Sequence, residues 1–179
     1  ERLVFGDQPL GWDQIGSAEL IKSVTQQQFI DYKNALYVPE NMVITIAGAV
    51  SEKDLDLLEQ YFTVPGKSPS IKPKHYDPSY STEKLKLRNK KTEQYHISFG
   101  VQGIAENDKQ FPAAKILGTI LGGNMSSRMF QNVREEKGLC YSVRTQVDEY
   151  SDTGLITTRA GVNLNDVLKA VEAIRYEYD

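Results

Sequence analysis

The stretch from Leu121 to Val143, Leu-Gly-Gly-Asn-Met-Ser-Ser-Arg-Met-Phe-Gln-Asn-Val-Arg-Glu-Glu-Lys-Gly-Leu-Cys-Tyr-Ser-Val, constrains the fold more than any other. It reads as a helix end, a tight glycine turn, a second helix, a glycine stop and a strand. Gly122 and Gly123 are able to take φ > 0 and close the preceding apolar helix. Ser126 or Ser127 offers a hydroxyl to the orphan N–H groups of the next turn. Met129, Phe130 and Val133 form an apolar stripe, leaving Arg128, Gln131, Arg134 and Glu135 toward other sides. Arg128 is therefore expected to tolerate replacement. Gly138 stands where a C′ glycine belongs, and Leu139 to Val143 alternates like a half-buried strand in which Cys140 packs as a small apolar side chain.

The flanking chain can be ordered around that unit. Glu1 to Gly16 is turn-rich and reads as a surface connection. A short helix is expected over Ser17 to Val24. Thr25 and Gln28 make a capping box for another, with Phe29, Tyr32 and Leu36 at helical spacing. Pro39 stops helix, and Met42 to Gly48 is β-branched and apolar enough to be a buried strand. Ser51 and Asp54 cap a helix whose Leu55, Leu58 and Phe62 are expected to face inward. Four prolines (Pro65, Pro69, Pro73, Pro78) make residues 63–82 an extended linker with little packing of its own. Beyond it, Leu85 to Leu87 and Gln94 to Val101 are expected to be an antiparallel strand pair. Asp108 begins a helix through Phe111, Ala114, Leu117 and Ile120. Leu139 to Tyr150 and Leu155 to Val162 form a hairpin about the turn Ser151 to Gly154. A last helix carries Leu164, Val167, Leu168, Val171 and Ile174 on one face. The fold class is α+β.

The chain has 179 residues and a formal net charge of −3, which speaks against a nucleic-acid-binding surface. One cysteine excludes an internal disulfide and suits a reducing compartment, the cytoplasm first, with an organelle matrix or the periplasm as alternatives. No apolar run approaches bilayer-spanning length. The chain starts at Glu1 and ends inside an uncapped amphipathic helix, so it is expected to be an excised region of a longer protein.

The segments LGGNMSSRMF and REEKGLCYSV resemble the second-half signature of the pitrilysin/insulinase family of zinc metallopeptidases, in its processing-peptidase branch. Phe5-Gly6-Asp7-Gln8-Pro9-Leu10-Gly11 is similar to a further family segment, with Gln8 where a histidine is common. The resemblance implies repeated domains, each a mostly antiparallel sheet covered by helices: residues 1–62 end one repeat, 63–82 link, and 83–179 begin the next. It also implies a parent zinc endopeptidase whose H-x-x-E-H helix lies in another part of the protein, since this chain's two histidines, His75 and His96, are unpaired. Zinc is expected in the full-length protein and not in this chain. Glu1 stands too close to the Pro-Leu-Gly segment to be the family's downstream glutamate ligand.

The resemblance further implies that Arg134 and Tyr141, in Arg-x6-Tyr spacing, reach the substrate. A guanidinium holds a peptide carbonyl, and a phenol donates to the developing oxyanion. Gly122, Gly123 and Asn124 would form a substrate-side turn. From the residues alone, Arg134 also reads as one member of a charge cluster and Tyr141 as strand packing. The implied partners are a peptide or unfolded-protein substrate, the missing N-terminal catalytic half, and a second copy or related subunit. A catalytically inactive scaffold or binding subunit is the alternative function.

Overall fold

The computed structural model describes residues 1–62, 71–80 and 84–179. Its contacts divide the chain into two compact units, Glu1–Trp12 with His75–Asp179, and Asp13–Lys74. These contact units differ from the expected boundaries at 62 and 83, because the first twelve residues pack with the later part of the chain.

The first unit is built on a three-stranded antiparallel sheet in the order β1-β3-β2. Strand β1 spans Tyr95–Gly103, β2 Cys140–Glu149 and β3 Gly154–Val162. The expected hairpin forms, with β2 and β3 in register from Cys140↔Val162 to Glu149↔Gly154. β1 lies on the other side of β3, from Tyr95↔Val162 to Gly103↔Gly154. Leu85 to Leu87 is not its partner: residues 84–90 form no strand, and both leucines are exposed. β1 pairs along its whole length with β3, and its other edge carries no strand among the described residues: three alternating residues whose leucines stay exposed bury too little to hold a ladder there.

One face of the sheet carries the core. Ile97, Phe99, Val143, Ala160 and Val162 meet Leu121, Met129 and Val133, together with Ala170, Ala173 and Ile174. Helix α5, Phe111–Gly118, leads into this core; Asp108 Oδ1 accepts the Gln110 N–H just before it. Each fully buried Leu, Ile or Val here contributes about 1.5–3 kcal/mol. The expected α+β architecture, an antiparallel sheet with helices against it, is the one observed.

The last helix, α6 (Val167–Tyr178), keeps part of the expected stripe, with Ile174 buried and Val167 packed against the core, and adds residues that periodicity did not select. Leu164 and Leu168 are exposed, while Ala170, Ala173, Ile174 and Glu177 are buried. The alanines allow close approach to the sheet, and Glu177 enters because its charge is met. Arg128 Nε donates to Glu177 Oε2 at 2.8 Å, and Asn132 Nδ2 donates to Oε1 at 2.9 Å. Arg128 is thus not the tolerant position its helical face suggested. The Glu177 side chain is 1% exposed against 48% for Arg128. Arg128→Ala should therefore leave a buried carboxylate short of a donor and cost about 2–3 kcal/mol, the scale of a hydrogen bond to a charged group and less than breaking a fully buried pair, since Arg128 is itself half exposed. Urea denaturation checks this; a loss within about 0.5 kcal/mol, the usual range for surface changes, would contradict it.

Within this unit, the described residues cover one end of the opposite face. Helix α1, Arg2–Phe5, sets Val4 against Gly100 beside Leu155. Phe5 is fully buried, with Tyr76 and Tyr150 edge-on to its ring at 5.5 and 5.7 Å. Gln8 fastens this segment. Its Oε1 accepts the Asp77 N–H at 3.0 Å, while its Nε2 donates to the Asp77 carbonyl at 2.9 Å and to the Phe5 carbonyl. Residues 1–12 are therefore an anchored part of the fold and not a surface connection. Of the expected linker, residues 63–70, 81 and 82 lie outside the described residues. Its described part is tied down at Tyr76 and Asp77.

The second unit holds α2 (Ala18–Ser23), α3 (Gln26–Leu36) and α4 (Glu52–Phe62). Its local signals are realised. The Thr25–Gln28 capping box is present, and Asp54 Oδ2 accepts from both the Ser51 N–H and hydroxyl. Packing is not as expected. None of the three helices has a buried residue, and Leu55 and Phe62 are about half exposed at 52% and 48%. Met42 to Ala47 forms no ladder, neither with the β1–β3 sheet nor elsewhere among the described residues, and Val43 is 94% exposed. An apolar run becomes a buried strand only when it is both paired and covered, and among the described residues Met42 to Ala47 is neither.

Candidate substrate-contact site

The stretch from Leu121 to Val143 is organised as a helical turn, a helix and a strand. After α5 the chain winds through a π-turn, Thr119–Gly123, and Asn124 is extended. Asn124 caps the next turn of the chain: its Oδ1 accepts the Ser126 N–H at 2.9 Å, and its carbonyl accepts the Ser127 N–H. Neither serine hydroxyl supplies the expected cap. Ser127 Oγ is buried without a hydrogen-bond partner among the described residues.

The glycines divide by cause. Gly138 has φ +61°, and a left-handed residue there ends the wide helix Met129–Glu136 as expected. The Gly138 N–H returns to the Arg134 carbonyl at 3.1 Å, and the Leu139 N–H to that of Val133 at 3.0 Å. Gly122 and Gly123 do not have positive φ. Gly122 has φ −162°, extended backbone that any residue adopts, and is required by contact instead. A Cβ on it would lie 2.7 Å from Thr145 Cβ and closer still to the Thr145 backbone nitrogen. The turn thus presses directly on β2.

Arg134 lies on the helix before the glycine stop. Its guanidinium stacks over the Phe130 ring at 4.4 Å from the centroid, and Nε is 3.7 Å from Glu135 Oε1. Tyr141 comes after the stop, at a β-bulge between Cys140 and Ser142. The extra residue leaves Tyr141 outside the alternation, 76% exposed, with its hydroxyl bonded to no described residue. Cys140 before it is buried in the core. Burial pushes its thiol pKa up, partly offset by the positive charge of Arg134. Arg134 and Tyr141 therefore flank one hydrogen-bonded glycine turn. Gly122, Gly123 and Asn124 belong to the turn that leads into the same helix.

These residues do not fit a zinc site. Among the described residues no three of His, Cys, Asp and Glu gather to hold a metal ion. His75 lies 3.4 Å from Asp152 at the surface, and His96 stands on the open face of β1. No helix among the described residues is long and apolar enough to cross a membrane.

A second group escaped sequence reasoning. On the sheet face away from the core, His96, Ser98, Ser142, Arg144, Arg159 and Gly161 line a groove of about 480 Å³. Alternation in the three strands was the available signal, but it needed the register to bring Arg144 opposite Arg159.

The same architecture is found in known proteins. Residues 23–179 match the family model described as "Peptidase M16 inactive domain". The chain is 33% identical over 177 residues to YmxG, an uncharacterized zinc protease of Bacillus subtilis, covering 97% of this chain and 42% of that protein. An uncharacterized zinc protease of Mycobacterium bovis is 35% identical over 161 residues, 88% of this chain and 37% of its own length. Among solved structures, a peptidase M16 inactive domain from Pseudomonas fluorescens superposes with a TM-score of 0.78 at 21% identity, over 99% of this chain and 44% of that one. The chain thus spans about two-fifths of the length of the curated relatives it matches.

Proposed function

The chain belongs to the pitrilysin/insulinase (M16) peptidase family, matching its inactive domain, and from that premise we propose that it is the non-zinc-binding part of a zinc-dependent endopeptidase. Arg134 holds the carbonyl of a bound peptide, and the Tyr141 hydroxyl donates to the oxyanion that forms at the reacting carbon. Gly122, Gly123 and Asn124 form the substrate-side turn. Zinc is supplied by another part of the full-length protein, an N-terminal catalytic half, and no ligand to it comes from this chain.

One observation carries this reading. Tyr141 is bulged out of a strand and exposed, its hydroxyl without a partner among the described residues, and the Gly138 turn separates it from Arg134. A tyrosine kept for packing would bury its ring, and one kept for stability would find a partner for its hydroxyl. Residues 1–62 are read as the end of a preceding repeat, supported by the apolar side chains of α2 to α4 and of Met42 to Ala47 that stay exposed among the described residues, and by relatives more than twice this length. The substrate is a peptide or unfolded protein. A second copy or related subunit is the further partner, and a reducing compartment such as the cytoplasm suits the single buried thiol.

The alternative, a catalytically silent scaffold, is favoured by the description of the matching family model as an inactive domain. Turnover by Tyr141→Phe and Arg134→Lys variants of the full-length, zinc-loaded protein separates the two.

A further inference from the structure

The groove on the open face of the sheet has a composition that structure alone does not require. β3 is buried along its whole length except at Arg159. Arg159 is the direct partner of Arg144 on β2 and of Ser98 on β1. In the next row His96, Gly161 and Ser142 stand side by side. Neither the Arg144 nor the Arg159 side chain makes an ion pair or hydrogen bond with any described residue, and among the described residues no acidic side chain lines the groove. Like charges directly opposite one another destabilise a sheet. Here they are concentrated in a chain whose formal net charge is −3. Gly161 keeps the floor low between them: a Cβ there would stand 3.1 Å from Gln94 Oε1 and 3.2 Å from Ser142 Oγ.

We propose that this groove binds the side-chain carboxylates of an extended acidic peptide segment. The idea rests on the reading of this chain as the substrate-contact part of a peptidase, and names the substrate class it prefers. Two guanidinium forks with hydroxyls between them match planar carboxylates through charge-assisted, bidentate hydrogen bonds. The volume, about 480 Å³, suits a few peptide residues and exceeds a single small anion. Ser142, in the floor, directly follows Tyr141 in the chain, so a peptide engaged at Tyr141 has the groove within its reach. Helix α1 covers the far end of the same face, at Gly100 and Leu155, and leaves the arginine end open.

The test is equilibrium binding, which needs no metal. Fluorescence anisotropy would compare a labelled octapeptide bearing two glutamates with the same peptide bearing glutamines. The glutamate peptide is expected to bind at least about ten-fold more tightly, the scale of one hydrogen-bonded charge. R144Q/R159Q is expected to abolish the difference. The double variant should melt no lower than the parent, since a like-charge opposition is relieved. Should it unfold, R144Q alone, on an edge strand, should still weaken the glutamate peptide several-fold. Equal affinity for the two peptides, or an unchanged preference in R144Q/R159Q, would overturn the proposal. Tighter binding of inorganic phosphate or polyphosphate than of the glutamate peptide would also overturn it, in favour of a phosphate site. Failure of the Arg134–Tyr141 reading appears elsewhere, as undiminished turnover in Tyr141→Phe.

Discussion

Tyr141→Phe, introduced into the full-length, zinc-loaded protein, is expected to lower kcat by about a hundred- to a thousand-fold, the cost of losing one preorganised oxyanion donor. The loss should fall on kcat because the oxyanion exists only as the reaction proceeds; ground-state binding does not use that hydrogen bond. Stability should hardly change. The residue is 76% exposed and its hydroxyl bonds no described residue, so the fold loses nothing when the oxygen is removed. Arg134→Lys should be similarly damaging, since a point charge reproduces neither the planar fork nor the stack on Phe130. Steady-state kinetics with zinc content measured in parallel decides the matter. Near-normal kcat/KM in both variants, with zinc intact, would make the pair structural and leave the silent scaffold as the function. Arg128→Ala is unsuitable as the neutral comparison, because it exposes Glu177 to an unmet charge. Glu136→Gln, exposed and unpaired among the described residues, serves instead.

What could be read in the sequence was what neighbours along the chain decide. The Thr25–Gln28 capping box, the Ser51–Asp54 cap, the Gly138 stop and the β2–β3 hairpin each need only a few adjacent residues, and each is present. Where a partner distant in sequence decides, the same signals misled. Met42 to Ala47 has strand composition and no strand, because pairing is a property of two segments. Leu85 to Leu87 alternates but is short and exposed, and it does not pair with the free edge of β1. On α6, periodicity found Val167 and Ile174 but also selected Leu164 and Leu168, while packing added alanines and a glutamate whose charge is answered from another helix. The candidate site shows the same division. Arg134 and Tyr141 were visible from spacing and resemblance, whereas the opposed pair Arg144 and Arg159 exists only once the register is known.

Gly122→Ala is expected to cost about 3 kcal/mol or more, the upper end for forcing an atom into a filled interior. Backbone conformation contributes none of this, since φ −162° at Gly122 is open to every residue. The cost arises where the new methyl meets Thr145, whose backbone is fixed by the pairing of β2 with β3 and cannot step aside. Thr145 is also the first member of a buried chain. Its Oγ1 lies 2.7 Å from Thr158 Oγ1, which lies 2.6 Å from the Tyr178 hydroxyl. Displacing Thr145 therefore disturbs α6 as well as β2. Adding Thr145→Ala should not rescue the variant, because the closest approach includes backbone and not the side chain alone. Gly123→Ala is the informative neighbour. Its Cβ would meet nothing nearer than Thr119 Cβ at 3.4 Å, and its φ is not positive, so replacement should be mild. Urea denaturation of the three variants separates the causes. A Gly123→Ala loss equal to that of Gly122→Ala would mean that the pair is there for turn conformation, as the sequence alone suggests. A large loss confined to Gly122 means that the turn is set by its contact with β2, which fixes where the helix bearing Arg134 begins.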